Sequence, residues 1–309
     1  MPTPHCLPAF PPGLPQTCVV RHPGYLWRNG TAAPRHPIMT LLTKQQTESG
    51  PRWALNGRLL ADGFTLGRLL GDSVAAARER LQAWPLEGPG VGRLLAPVDD
   101  DQEVWASGVT YLRSRQAREA ESQVADVYQK VYEAERPELF FKSAGWRAKG
   151  NGETVRIRRD SSWNVPEPEL TLVLTADGGV FGCTAGNDMS SRSIEGENPL
   201  YLPQAKVYDG SCAVGPSIRV MDVDDMRSMR IALRILRRGE VVFDDQVNSD
   251  RMKRTLEELA GWLVRELSFP RGVLLMTGTG LVPPEGFTLE VGDTVVIDLD
   301  GQTLHNTVA

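Results

Sequence analysis

Glu167 and Glu169 stand two residues apart in Pro166-Glu167-Pro168-Glu169-Leu170-Thr171-Leu172-Val173-Leu174, so on an extended strand both side chains leave the same face. The apolar run after them has strand composition, and Thr175-Ala176-Asp177-Gly178-Gly179 supplies hairpin turn chemistry ahead of Gly186-Asn187-Asp188. A two-residue turn at Asp177-Gly178 sets Asp188 opposite Glu167; a turn at Gly178-Gly179 sets it opposite Glu169. Either register brings three carboxylates to one face. Three such groups without a basic partner repel one another unless they share protons or surround a cation. Ligation by oxygen alone suits a hard divalent ion, Mg²⁺ or Mn²⁺, with positions left open for water or substrate.

Two glutamates so spaced are commonly just the solvated face of a strand. Pro168 between them limits ladder pairing and suits a strand start or edge. A third acid then arrives on the same face at the end of the next strand, and this favours a site. Asp99-Asp100-Asp101 and Asp222, Asp224 and Asp225 are denser acid runs without converging geometry, and they read as solvated loops.

The elements that must hold these acids belong to a chain of 309 residues, enough for one large domain or two smaller ones. Apolar content of 41% and charged content of 24% are those of a soluble globular protein. A formal charge of −5, with no Lys/Arg run, excludes a nucleic-acid footprint. No stretch approaches the roughly 20 apolar residues of a membrane span, and the amino terminus lacks the pattern of a secretory signal. Cys6, Cys18, Cys183 and Cys212 show neither C-x-x-C spacing nor disulfide density, so a reducing cytoplasm is the expected compartment. Cys183 and Cys212 lie in apolar, strand-like runs and read as small core residues. Asn29-Gly30-Thr31 matches a glycosylation acceptor, a chance match without a secretory route.

Residues 1–38 are rich in proline, carry His5, His22 and His36, and show no sustained periodicity. They read as a disordered arm, or as sequence upstream of a true start at Met39. A small α+β unit follows over 39–98, with a short strand pair over 53–60, a helix over 73–84 capped by Ser73, and a linker at Gly88-Pro89-Gly90. The segment 99–309 is then the catalytic domain. In it a charge-laced helix runs from about Ser114 to Glu135 and stops at Pro137. Strands are expected over 212–220, 230–236, 241–247, 273–276 and 294–299, with a turn at Arg238-Gly239-Glu240. Ser249 or Asp250 is expected to cap a helix whose apolar positions Met252, Leu256, Leu259, Leu263, Val264 and Leu267 keep helical spacing. The fold class is a strand-rich α+β protein.

Glu167-Pro168-Glu169-Leu170, then Gly186-Asn187-Asp188-Met189-Ser190-Ser191-Arg192, then a downstream lysine and a Gly-Pro, resemble the ordered blocks of the fumarylacetoacetate hydrolase family over roughly residues 104–300. The resemblance implies a mixed β-roll-like fold and a Mg²⁺ or Mn²⁺ site at Glu167, Glu169 and Asp188. Within that family, the stretches from Gly108 to Arg115, Arg136 to Lys142 and Glu197 to Lys206 look most like its 2-keto-3-deoxy-pentonate dehydratases. Thr277-Gly278-Thr279 matches the family's late block beside the substrate carboxylate. A homodimer or homotetramer is implied as well. The amino-terminal arm matches no part of the family.

A 2-keto acid can chelate a divalent ion, which then stabilises the enolate left when a C3 proton departs. With a hydroxyl on C4 the outcome is dehydration, here to α-ketoglutarate semialdehyde; with an acyl group, attack of water gives carbon–carbon hydrolysis. The family's hydrolases are associated with a histidine, often paired with a glutamate. After residue 36 the chain has only His305, which reads as a solvated tail residue, so dehydration is favoured over an acylpyruvate-type hydrolase. A third reading, a non-catalytic scaffold, has no reason to keep all three acids. Lys206 is the first choice for proton transfer, because a lysine beside a cation and a buried substrate can titrate near neutrality. Glu138 is the candidate for protonating the departing hydroxyl. Lys142 would contact substrate or neutralise the acids, Arg113 and Arg115 would hold the carboxylate or sugar hydroxyls, and Thr277, Gly278 and Thr279 would bind the carboxylate. Arabinonate and xylonate derivatives remain equally open as substrates.

Overall fold

A computed structural model describes residues 39–121 and 125–309. The proline-rich arm, with Cys6, Cys18, His5, His22 and His36, lies outside the described residues. The chain begins with strands β1 (Thr40–Thr47), β2 (Gly50–Leu55) and β3 (Arg58–Leu60), helices α1 (Leu66–Leu70) and α2 (Val74–Ala83), and strands β4 (Leu86–Pro89) and β5 (Arg93–Leu95). Next come β6 (Glu103–Gly108), α3 (Leu112–Glu121), α4 (Ala125–Glu133), β7 (Glu138–Ala144), β8 (Thr154–Val155) and β9 (Asn164–Val165). The hairpin β10 (Pro168–Leu174) and β11 (Val180–Asp188) is followed by β12 (Ser190–Ser191), α5 (Arg192–Glu197), α6 (Leu202–Lys206) and β13 (Cys212–Val220). The remainder is β14 (Arg230–Arg237), β15 (Glu240–Asn248), α7 (Leu256–Leu263), β16 (Val273–Met276), β17 (Thr294–Leu299) and β18 (Gln302–Val308).

Eleven strands form one sheet in the order β4-β3-β2-β1-β13-β11-β10-β16-β6-β7, with β5 on β1; five form another in the order β15-β14-β17-β18-β8. Leu170, Leu172 and Leu174 of β10 point toward the second sheet and pack with Ile231, Leu233, Val295, Ile297 and the apolar stripe of α7. Val173, on the opposite face, packs with Val214, Leu274, Met276 and Trp53. The larger sheet is thus buried on both faces around the hairpin, which explains why β10 and β11 lack the polar–apolar alternation of a half-solvated strand. Cys183 and Cys212 are buried free thiols, as expected.

Most expected elements form. Ser73 caps α2 by accepting from the Ala76 N–H, and left-handed Arg238 and Gly239 make the turn between β14 and β15. Three readings are corrected. Gly88 and Pro89 are not a linker but the end of β4, a terminal strand of the sheet where proline is tolerated. The helix after residue 249 starts later. Ser249 Oγ is spent on the Met229 N–H and the Met226 carbonyl, and Thr255 instead accepts from the Glu258 N–H to cap α7. The expected helix over 114–135 is described as α3 and α4, with residues 122–124 outside the described residues. Asp99 is no solvated loop acid: it is buried and accepts from Trp53 Nε1 at 3.2 Å and the Gly67 N–H at 2.8 Å.

Removing those two bonds leaves buried donors unpaired, so Asp99→Ala should lower unfolding free energy by about 1–3 kcal/mol in urea, against under about 0.5 for exposed Asp100→Ala. Asp293 gives a pH test. Burial pushes its carboxyl up, but the fork from Arg237 and the Glu290 N–H outweigh that and hold it below the ordinary range. A depressed folded pKa contributes stability that is complete above the unfolded value, about 3.9. That contribution disappears as pH falls through the folded value. Arg237→Leu should therefore move the acid-unfolding midpoint, followed by circular dichroism, to higher pH.

Candidate metal centre

Near the acids the register is the one an Asp177-Gly178 turn sets, with Pro168 facing Asn187 and Glu169 facing Gly186. Just beyond the ladder, Glu167 and Asp188 exchange backbone hydrogen bonds of 3.2 and 2.9 Å. A bulge between Val173 and Leu174 shifts the pairing closer to the turn. Glu167, Glu169 and Asp188 are buried, and each offers one carboxylate oxygen within 4.8 Å of the others.

The acids converge with basic partners around them, among them the two lysines singled out from the sequence. Lys206 Nζ donates to Glu167 Oε2 at 2.8 Å and Asp188 Oδ2 at 3.0 Å. Lys142, fully buried, lies 2.6 Å from Asp188 Oδ1 and donates to the Met189 carbonyl at 3.0 Å and to the Lys206 carbonyl. Arg192 Nη2 donates to Glu167 Oε1 at 2.9 Å. The cations come from β7, α5 and α6, segments that no local spacing links to the hairpin.

Glu169 differs from its neighbours. Its Oε2 accepts from the Gly278 N–H at 2.6 Å, while its Oε1 is buried without a hydrogen-bond donor. Burial first, then the charges of Asp188 and Glu167, push its carboxyl well above the ordinary range, against the pull of Lys206 and the Gly278 N–H. An orphaned carboxylate oxygen within reach of two more is a fit for a hard divalent ion, so the donor set suits Mg²⁺ or Mn²⁺ at Glu167, Glu169 and Asp188.

Beside the triad a small cavity is lined by Glu138, Lys206, Glu167, Glu195, Ser114 and Thr279. Glu138 folds across Gly108, where an added Cβ would come within 1.9 Å of Glu138 Oε2. Thr279 lines the cavity with its hydroxyl donating to the Leu281 carbonyl at 3.2 Å and accepting from the Leu281 N–H at 3.1 Å, and the Thr277 hydroxyl donates to the Leu170 carbonyl at 2.8 Å. Gly278, at φ +92°, has no room for a side chain because a Cβ would meet Thr110 Oγ1 at 2.1 Å. The structure does not bring Arg113 and Arg115 of α3 to the triad's ion pairs. Arg113 is exposed, and Arg115 pairs with Glu119 at 3.3 Å and lies over Tyr132. His305 is exposed on β18 opposite Val296. Arg192 and Glu195 escape a reading by residue type. Both sit in the block after Asp188, Arg192 is 2% exposed, and Glu195 accepts from the Ser190 hydroxyl at 3.1 Å. Their signal was indirect: buried carboxylates demand cations from somewhere in the chain.

A roomier hollow of about 620 Å³ lies on the outer face of the second sheet, where Arg234 and Asp244 pair at 2.7 Å. It holds no converging carboxylates among the described residues. No helix among them is long and apolar enough to cross a membrane.

Comparison with known proteins agrees with this geometry. Over 214 residues the chain is 49% identical to a protein of Haloferax volcanii named "Probable 2-keto-3-deoxyxylonate dehydratase", covering 69% of this chain and 73% of that one. Over 213 residues it is 43% identical to the 2-dehydro-3-deoxy-D-arabinonate dehydratase of Saccharolobus solfataricus, covering 67% and 71%. Among solved structures, 2-keto-3-deoxy-D-arabinonate dehydratase complexed with magnesium and 2,5-dioxopentanoate superposes with a TM-score of 0.72 at 32% identity, over 87% of this chain and 98% of that one. Residues 103–309 match the fumarylacetoacetate (FAA) hydrolase C-terminal domain, and the chain belongs to the fumarylacetoacetate hydrolase family.

Proposed function

We propose that this chain is a metal-dependent hydro-lyase that removes water from a 2-keto-3-deoxy-pentonate to give 2,5-dioxopentanoate. The observation behind the reading is that one small cavity is lined by Glu167 of the carboxylate triad together with Lys206, which bonds Glu167 and Asp188, and a further carboxyl group, Glu138. Relatives at 49% and 43% identity carry dehydratase names of this substrate class. Held by Glu167, Glu169 and Asp188, Mg²⁺ supplies Lewis-acid stabilisation of the charge that develops on the substrate's keto oxygen.

The chain's own residues do the rest. Lys206 Nζ, fixed by two carboxylates, exchanges the proton at C3. Glu138 protonates the hydroxyl leaving C4, so that it departs as water. A proton then leaves C5 and one returns to C3, and the resulting C4–C5 enol becomes the aldehyde. Thr279, on the cavity wall, holds the substrate carboxylate, while Gly278 is occupied in orienting Glu169. Lys142 and Arg192 hold Asp188 and Glu167 in place from behind.

The first test is purified protein with Mg²⁺ and racemic 2-keto-3-deoxy-pentonate, coupled to a semialdehyde dehydrogenase, beside acylpyruvate followed by loss of its enol absorbance. Semialdehyde should form, and Glu169→Gln should abolish both product and dependence on Mg²⁺. Acylpyruvate cleavage without semialdehyde would overturn the assignment. A second test separates chemistry from metal binding. Glu138→Gln should lower kcat by about 10²–10⁴-fold while Mg²⁺ affinity by calorimetry stays near that of the unmodified chain. Unchanged kcat would remove Glu138 from the proton-transfer role.

A further inference from the structure

Gly108 ends β6 as the last pair of its ladder with β7, directly opposite Glu138. Cross-strand partners of this kind carry their side chains on one face. Here the Glu138 side chain lies across the space that a side chain at 108 would take. A Cβ at Gly108 would meet Glu138 Oε2 at 1.9 Å, Cδ at 2.6 Å and Cγ at 3.3 Å, and these are its three nearest atoms. The recess over Gly108 is thus filled by the carboxyl end of one residue, and both residues line the cavity beside the triad.

Glycine weakens a strand, having no side chain to pack, so its presence there needs a reason. The backbone does not supply one. Gly108 lies outside the left-handed region, whereas Gly278 takes φ +92°. The residue that does enter that region is the next one, Val109, at φ +53°. A β-branched side chain there is a strained outlier. A glycine placed to relax this part of the chain would stand at 109. It stands one residue earlier, where what it makes room for is Glu138.

We propose that Gly108 is a positioning residue whose missing side chain seats the Glu138 carboxyl against the cavity. The inference rests on the reading of Glu138 as the acid that protonates the leaving hydroxyl, and adds to it the feature that holds this acid in place. Ordinary contact with a Cβ begins near 3.4 Å, so a methyl group at 108 cannot coexist with Oε2 where it now lies. The atoms it strikes are the far end of a flexible side chain, so the carboxyl swings away while the strand keeps its place. Misplacing a reacting group by about 1 Å costs on the order of 10²-fold in rate.

Steady-state kinetics of the full chain with 2-keto-3-deoxy-pentonate and saturating Mg²⁺ test this, beside Glu138→Gln, thermal melting and calorimetric Mg²⁺ titration. Gly108→Ala should lower kcat on the order of 10²-fold, while KM, Mg²⁺ affinity and melting temperature stay near those of the unmodified chain. In a Glu138→Ala background, where no carboxyl is left to displace, Gly108→Ala should lower kcat no further. Full kcat in Gly108→Ala, beside a Glu138→Gln variant that has lost it, would overturn the inference and leave the assignment of the acid standing. An equal further loss in the Glu138→Ala background, or a collapsed melting transition in Gly108→Ala, would also overturn it and mark Gly108 as a structural glycine. Unchanged kcat in Glu138→Gln would overturn the reading of the acid itself, and the seat with it.

Discussion

The register between β10 and β11 is the constraint on which the site depends. Side chains alternate with a period of two, so a slip of one residue would drive the acids into the inter-sheet core and bring Leu170 and Leu172 out of it. Both faces of the hairpin are buried, and the leucines lock into Ile231, Leu233 and Ile297 on the far side. The apolar face therefore specifies the position of the charged face. The mutual backbone bonds of Glu167 and Asp188 extend that register, and β9 and β12 continue it with Val165 facing Ser190 and Asn164 facing Ser191.

Around the hairpin, the protein gathers a compact cluster of three carboxylates and three cations, nearly all of it out of water. Buried ion pairs recover their desolvation cost only with good geometry and further hydrogen bonds. Here each cation has fixed anchors: Lys142 two backbone carbonyls, Lys206 two carboxylates, Arg192 the Glu167 carboxylate beside a helix start. Glu169 is left with a backbone N–H alone, and its raised carboxyl pKa reports that imbalance. The least compensated acid is the one whose free oxygen faces the metal position.

The sequence made the triad legible and narrowed its register to two choices, because both follow from period-two alternation and a short turn, which are local rules; the fold selects the first. Cys183 and Cys212, the β14–β15 turn and the Ser73 cap were legible for the same reason. The role of Arg192 was not, since only the tertiary fold decides that its guanidinium turns back onto Glu167; Lys142 was legible only as one of two alternatives, a substrate contact or a neutralising partner. Asp99 shows the converse failure. Its neighbours Asp100 and Asp101 suggested a solvated run, but a distant Trp53 indole and Gly67 N–H make it a buried acceptor. Ser249 failed as a helix cap because Met226 and Met229, in the segment leading into β14, claim its hydroxyl, while the Thr255-to-Glu258 spacing, a capping signature, lay six residues on.

The placement of β16 has a consequence for biosynthesis. This late strand inserts between β10 and β6, antiparallel to the first and parallel to the second. During translation, β6–β7 and β10–β11 emerge early but cannot join into one sheet until residue 276 has left the ribosome, at about 5–20 residues per second. Until then the growing chain holds two unmatched sheet edges, and Gly278 is not yet present to orient Glu169. The acids are thus made well before the backbone N–H of Gly278 that orients one of them.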